Sequence, residues 1–163
     1  MTPTTLMFTA HERKVLDFMA QGLDVQGLVR QGLYPSERAV WRGVTELGGA
    51  LSGGEIVRWS RIVHLAVIHN VVTVRRTKSV ILPEFQLDLL RALAAGLRLA
   101  EYADKSDDMI LMEVKELLVL LCSRLSASGP ANAVYRGHQA GLLTPDDPLR
   151  VTFGKGVSAW AAS

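Results

Sequence analysis

The chain has 163 residues, which suits one ordinary domain or two very small ones. Hydrophobic residues make up 48%, charged residues make up 21% and the mean hydropathy is +0.19, a composition that excludes a disordered chain and a membrane bundle. Eighteen basic and 16 acidic residues give a net charge of +2, too small to indicate a nucleic-acid partner by itself. The single cysteine, Cys122, excludes an internal disulfide framework. Because no signal-peptide or membrane-spanning pattern is visible, we expect a cytoplasmic protein.

The sequence matches itself when it is shifted so that Phe8 falls on Leu82, and the matching apolar positions follow helical spacing. We therefore predict a duplication: a first half, residues 8–72, and a second half, residues 82–143, joined by a basic linker, residues 73–81. A C-terminal tail, residues 144–163, follows. Without a gap, the same shift also pairs Leu16 with Leu90, Gly22 with Gly96, Val40 with Val114, and Leu51 with Leu125.

Each half is predicted to form four helices. In the first half these cover 9–21, 25–31, 36–47 and 55–69, with a capping box of Thr9 and Glu12 at the start of the first helix and Gly22 at its end. Gly48 and Gly49 are expected to end the third helix. In the second half the helices cover 83–95, 99–105, 109–125 and 130–140. The β-branched linker and the alternating residues 149–153 add a small β element to the predicted all-α fold. Beyond these residues only Trp160 is expected to pack.

Four short helices with a tight turn between the second and the third describe a helix-turn-helix unit. The opening of the first half, FTAHERKVLDFMAQGL (8–23), and of the second, LPEFQLDLLRALAAGL (82–97), follow the pattern L-T-x-R-E-x-E-V-L-x-L-x-A-x-G-L. SERAVWRG (36–43) and PANAVYRGHQAGLL (130–143) follow a third-helix and a closing-helix pattern. On these motifs both halves resemble the DNA-binding domain of LuxR/NarL (GerE-type) transcription regulators. Trp41 and Gly43 depart from that family, which has Lys and His at these positions.

The resemblance implies an all-α protein of two tandem four-helix helix-turn-helix units that binds double-stranded DNA and regulates transcription. Members of the family generally dimerise through the closing helix and bind two-fold operators, so the resemblance also implies a homodimer. It implies no cofactor.

The third helix of the first half offers the polar side chains that DNA recognition requires. Arg38 and Arg42 are four residues apart and share one helix face, and arginine is the best bidentate partner of guanine. Ser36 leaves backbone N–H groups at the helix start facing a phosphate. An ordinary solvated face, with Trp41 packed, is the alternative. In the linker, the basic residues form either a DNA-contacting arm or a plain surface segment. The predicted DNA-binding residues are Ser36, Glu37, Arg38, Trp41, Arg42, Thr45, Arg75, Arg76 and Lys78.

The third helix of the second half is apolar nearly all round, at residues 109–112, 114 and 117–122. The second half also has 6 basic and 8 acidic residues, against 7 and 6 in the first half and 3 and none in the linker. An acidic unit with an apolar third helix is unsuited to a phosphate backbone. We therefore predict a packing, dimerisation or partner-binding role, with burial against the first half as the alternative. The predicted interface residues are Met109, Leu111, Met112 and Leu118.

No arrangement of residues in the sequence suggests catalysis or a metal site. The four histidines are dispersed, and the spacing of His64 and His69 is not that of two ligands on one helix face. We predict that the protein is not an enzyme. The alternative to a DNA-binding regulator is a protein-binding adaptor or anti-activator that keeps the helix-turn-helix fold but has lost DNA recognition; a purely architectural DNA-packing protein is a third possibility.

Overall fold

The structure is a computed structural model that describes residues 6–154, and within them it is all-α. Trp160 lies outside the described residues. The predicted helices are present, with small shifts at their ends. They are α1 (Ala10–Ala20), α2 (Val25–Arg30), α3 (Glu37–Ser52), α4 (Trp59–Ile68), α5 (Glu84–Ala94), α6 (Leu99–Lys105), α7 (Leu111–Leu125) and α8 (Pro130–Gln139), followed by a 3-10 helix, Asp147–Arg150.

Local signals fix the bounds of α1. The Thr9 hydroxyl accepts a hydrogen bond from the Glu12 backbone N–H at 3.1 Å, and the Glu12 carboxylate accepts one from the Thr9 N–H at 3.0 Å, so the predicted capping box is confirmed. At the other end Gly22 adopts a φ of +96°, and the Leu23 N–H bonds to the Phe18 carbonyl at 3.0 Å. This left-handed residue ends the helix as predicted.

The two halves repeat the same helix order in the register that lays Phe8 on Leu82. In this register the first residues of α5, α6 and α7 fall on the first residues of α1, α2 and α3. Helix α8 departs from it, because Trp59, which begins α4, falls on Ala133 rather than on Pro130. The segment that precedes the closing helix is therefore longer in the first half than in the second.

Three expectations about the elements are wrong. The residues from 73 to 81 and from 149 to 153 contain no strand, so the small β element is absent from the described chain. The backbone N–H groups of Thr152 and Gly154 bond instead to the buried Asp88 carboxylate, at 2.7 and 3.1 Å. Helix α3 continues through Gly48 and ends at Ser52, where the left-handed Gly53 (φ +81°) follows. Gly48 instead allows a close approach to α4, because a Cβ there would lie 3.1 Å from the Ile62 Cδ1. The closing helix of the first half begins at Trp59 rather than at residue 55.

The halves pack through their closing helices, and the contacts are reciprocal. Helices α4 and α8 form the most extensive helix pair; in addition α1 packs against α8, and α5 packs against α4. Contacts in which each half offers the same elements to the other are those of a two-fold, isologous interface. Here that interface lies within one chain.

The hydrogen bonds between the halves repeat this symmetry. The Asn132 amide of α8 donates to the Ala20 carbonyl at the end of α1, at 2.8 Å. Arg61, at the equivalent position of α4, donates to the Ala94 carbonyl at the end of α5, at 3.5 Å. In each half, the glycine that ends the first helix also contacts the residue that donates this hydrogen bond. A Cβ on Gly22 would be 3.1 Å from the Asn132 Cβ, and a Cβ on Gly96 would be 3.0 Å from the Arg61 Cβ.

Candidate nucleic-acid interface

The turn that precedes α3 is folded back onto the helix. The Ser36 hydroxyl accepts a hydrogen bond from the Ala39 N–H at 3.2 Å, which caps α3. The Tyr34 ring lies against Gly43, where a Cβ would come within 2.6 Å of the Tyr34 Cε1. Gly43, which departs from the LuxR/NarL pattern, is therefore explained by the packing of the turn.

One face of α3 is buried and the opposite face is exposed. The buried face consists of Val40, Val44, Leu47, Gly48 and Leu51. The exposed face, which we call the α3 stripe, is formed by Glu37, Arg38, Trp41, Arg42, Thr45 and Glu46. All five α3 residues predicted to bind DNA thus share one accessible face, and Ser36 caps its start.

The charges of the α3 stripe cancel in number but not in position. Arg38 and Arg42 occupy its first turns, four residues apart, and Glu37 and Glu46 lie at its two ends. The face can therefore present two guanidinium groups to one ligand, and the acidic ends restrict where a phosphate backbone can run.

Trp41 connects the stripe to a groove between the halves. Its ring lies 5.8 Å from the ring of Trp59 at the start of α4, and 54% of Trp41 remains exposed. Trp41 and Thr45 line the groove, which has a volume of about 760 Å³. Leu97 and Pro130 of the second half also line it. Trp41 is thus partly packed and partly available to a ligand.

The basic linker lies along the end of α8. The Thr77 N–H bonds to the Gln139 carbonyl at 3.0 Å, and the Arg76 guanidinium lies over Gly141. A cation beside the carbonyl end of a helix is favourable for the helix dipole. Arg75 and Lys78 are exposed. Among residues 6–154, no hydrogen bond or ion pair joins the linker to α3, so the structure does not bring the two predicted DNA-binding groups into direct contact.

Helix α7 is apolar nearly all round, but only one of its faces is buried within the chain. Helices α5, α6 and α8 cover only the face that carries Val114, Leu121 and Leu125. Its principal helix contacts are with its own half, so burial against the first half is not the explanation of its apolar character. Of the predicted interface residues, Met109 and Leu118 are half-buried, whereas Leu111 and Met112 are exposed.

The structure brings together two histidines that are 74 positions apart in the sequence. The His64 Nδ1 and the His138 Nε2 are 2.9 Å apart, and their rings stack in the contact between α4 and α8. Burial, together with the nearby Arg61, lowers the pKa of His64 to about 4. Burial and the neighbouring His64 lower the pKa of His138 to about 4 as well. At neutral pH the pair is uncharged and shares one hydrogen bond, which suits a structural contact.

The sequence gives no clear signal for this pair. The shift that lays Phe8 on Leu82 also lays His64 on His138. However, α8 departs from that register, so the two histidines are not at equivalent positions of the closing helices, and their contact is seen only in the packing of α4 against α8.

Comparisons with protein-family models, with curated proteins and with solved structures find no match to this chain.

Among residues 6–154 no single helix is long and apolar enough to cross a membrane; α7 and α8 meet that test only together, as a pair bent by 43°.

Proposed function

We propose that this protein binds double-stranded DNA through α3 and acts as a small transcription regulator built from two diverged LuxR/NarL-like helix-turn-helix units. The observation that carries the proposal is the α3 stripe: a capped helix that follows a short helix and a turn, and that turns two arginines outward. Arg38 and Arg42 are exposed and lie one helical turn apart. This spacing lets both guanidinium groups enter one major groove, where arginine recognises guanine through two hydrogen bonds.

The start of α3 supports contact with the phosphate backbone. The first N–H groups of a helix have no helical acceptor, and the helix dipole favours an anion at that end. The Ser36 hydroxyl occupies only the Ala39 N–H. A phosphate at this position would fix the orientation of α3, and the arginines would supply sequence recognition.

The contact between the halves supports a regulator that carries its own dimer partner. The resemblance implies that closing helices join two chains; here α4 and α8 pack together within one chain. In such an arrangement α7 would be the second recognition helix. Leu111 and Met112 stand at the positions of Glu37 and Arg38 and offer no charged group or strong hydrogen-bonding group to phosphates or bases. Lys115 is exposed on this helix, but no second cation lies one turn away from it on the same face. We therefore propose that only α3 recognises DNA, so that one chain binds one half-site.

The test is selection of bound duplexes from a random-sequence pool at about 50 mM salt, followed by affinity measurements on the selected sequence. For the R38A/R42A variant we expect a loss of about 30-fold or more, because each of the two base contacts contributes roughly 1–3 kcal/mol. The R136A/R150A variant removes the same charge from exposed positions of the second half and the tail, and should bind nearly as well as the unchanged chain. Equal losses in the two variants would contradict the role of α3.

A second candidate function, a protein-binding adaptor, is favoured by the exposed apolar face of α7 and by the balanced charge of the α3 stripe. The two functions differ in their response to salt. DNA binding weakens steeply as salt rises, because counterions are released from the phosphates. An adaptor would select no duplex even at about 50 mM salt, and an architectural protein would bind all duplexes equally.

A further inference from the structure

The groove between the halves has the dimensions of a small-molecule site. Its volume of about 760 Å³ lies within the range of pockets that enclose a drug-sized ligand. The lining is mainly apolar, with Val44 and Val57 from the first half and Leu93 and Leu97 from the second. A ligand that fills the groove therefore needs an apolar body.

Two tryptophans form an aromatic corner in this lining. The rings of Trp41 and Trp59 are 5.8 Å apart and inclined by 60° to one another. Because Trp41 remains more than half exposed, part of its ring is open to a ligand. Aromatic rings gain from offset or edge-to-face contact with other rings. The corner therefore favours a flat aromatic body over a flexible aliphatic one.

The first residues of α4 place unpaired polar groups at the groove. Arg58, Trp59 and Ser60 all line it. The N–H groups of the first turn have no helical acceptor, and no side chain caps this helix. Helix α4 has ten residues, and its dipole favours an anion at this end.

Ser60 adds a buried hydroxyl without a partner. The residue is only 5% exposed, and within residues 6–154 no hydrogen bond joins its hydroxyl to another group. In this part of the chain the fully enclosed side-chain atoms without a partner are the His64 Nε2 and the Gln86 Oε1, so the Ser60 hydroxyl keeps access to the groove that it lines. Buried polar groups normally have a hydrogen-bond partner, so this hydroxyl points to a ligand that accepts its proton.

The charged residues of the groove also favour an anion. Arg58 and Arg98 line it, and Asp24 is the only acidic residue among the described residues that do so. The Asp24 carboxylate is already engaged, because it caps α2. The Arg98 Nε lies 3.5 Å from a Glu101 carboxylate oxygen, whereas Arg58 has no ion pair within residues 6–154. The Arg58 guanidinium is therefore available to an anion at the start of α4.

We propose that this groove binds a small aromatic carboxylate. The ring would pack against Trp41 and Trp59, and the carboxylate would lie at the start of α4, bound by the Ser60 hydroxyl and the Arg58 guanidinium. A carboxylate suits these donors because it is planar and accepts two parallel hydrogen bonds from one guanidinium. Such binding does not depend on DNA recognition, although Trp41 also belongs to the α3 stripe and a bound ligand would lie beside that face.

The test is an NMR titration of the ¹⁵N-labelled full chain, without DNA, with two probes that share one body. Naphthylacetate carries a carboxylate, and naphthylacetamide has a neutral amide in its place. We expect naphthylacetate to bind with a dissociation constant of about 1 mM or lower. It should bind at least about tenfold more tightly than the amide, because hydrogen bonds to a charged acceptor are the stronger ones. The shifts should centre on the amides of residues 58–60 and on the indole N–H groups of Trp41 and Trp59.

Variants separate the anion site from the apolar body. Ser60→Ala should weaken naphthylacetate binding by about tenfold and leave naphthylacetamide binding nearly unchanged. Ser123→Ala, at an exposed position of α7 outside the groove, should affect neither probe. Arg58→Ala should reduce naphthylacetate binding by about threefold, because this arginine is exposed. Trp41→Ala should weaken both probes alike, because it removes a contact with their common body.

Circular dichroism of each variant verifies the fold, and the exposed Arg58 supplies a test that does not disturb a buried position. Equal affinities for the two probes would overturn the proposal, and so would shifts that avoid residues 58–60. Unchanged naphthylacetate binding in both S60A and R58A would overturn it as well. Binding of neither probe, the result expected if a segment of a protein partner fills the groove instead, would also overturn it.

Discussion

The contact between the two halves predicts an unusually large cost for a methyl group at Gly22. This residue has a φ of +96°, and an alanine there meets two penalties. The left-handed backbone costs about 1–2 kcal/mol for a residue with a Cβ. The added methyl also lies 3.1 Å from the Asn132 Cβ and presses on the Ser128 hydroxyl. The hydroxyl can rotate, but the Asn132 Cβ is fixed by α8, so overpacking adds roughly 1–3 kcal/mol.

Gly32 provides a matched control for this substitution. It also has a positive φ, +74°, but a Cβ there has no neighbour within 4 Å. Gly32→Ala should therefore cost only the backbone term, and the difference between the two variants isolates the contact between the halves. Urea denaturation followed by circular dichroism gives both free energies of unfolding. Equal free energies for G22A and G32A would refute the packing of the α1 end against α8.

Three further measurements test the contacts that hold the halves and the tail. The pKa values of His64 and His138 are about 4 in the folded chain, below the ordinary 6.5, so the unfolded chain binds more protons than the folded chain as the pH falls. The free energy of unfolding should therefore decline between pH 7 and pH 5 by about 2 kcal/mol per histidine. A free energy of unfolding in urea that does not change over this pH range would contradict the buried pair. Asn132→Ala removes the buried bond to the Ala20 carbonyl and should lower the free energy of unfolding by about 1–3 kcal/mol, whereas a change below about 0.5 kcal/mol would mean that this bond is not made. Tyr102→Phe removes the 2.5 Å hydrogen bond to the buried Asp88 carboxylate and should cost about 1–3 kcal/mol in thermal or urea unfolding; an unchanged stability would show that the tail donors alone satisfy Asp88.

Local signals predicted most of the helix bounds. The Thr9 and Glu12 capping box and the left-handed Gly22 act within one helix, so the residues that decide the structure are neighbours in the sequence. Where the deciding contact comes from elsewhere, the prediction is wrong. Gly48 was expected to end α3, yet its role is to admit the Ile62 side chain of α4, and this cannot be seen from helical spacing.

The missing β element has a similar explanation. An alternating pattern at residues 149–153 predicts a strand only if backbone groups find a strand partner. In the structure the Asp88 carboxylate instead accepts hydrogen bonds from the N–H groups of Thr152 and Gly154. No residue of the tail itself indicates that its partner is a carboxylate of α5.

The candidate site was predicted as a set of side chains but not as a surface. Helical spacing correctly places Arg38 and Arg42 on one exposed face. For α7 composition was misleading, because an apolar side chain is equally compatible with a core and with an interface. Only the packing shows that Met112 and Leu120 are left uncovered.

The central claim is that α3 recognises DNA and that α7, its equivalent in the second half, does not. A titration of the ¹⁵N-labelled chain with the selected duplex, followed by NMR, tests this claim at each backbone amide. We expect the largest shifts at the amides of residues 37–46 and no shifts at those of residues 111–120. Shifts centred on residues 111–120, or no shifts on either helix, would contradict it.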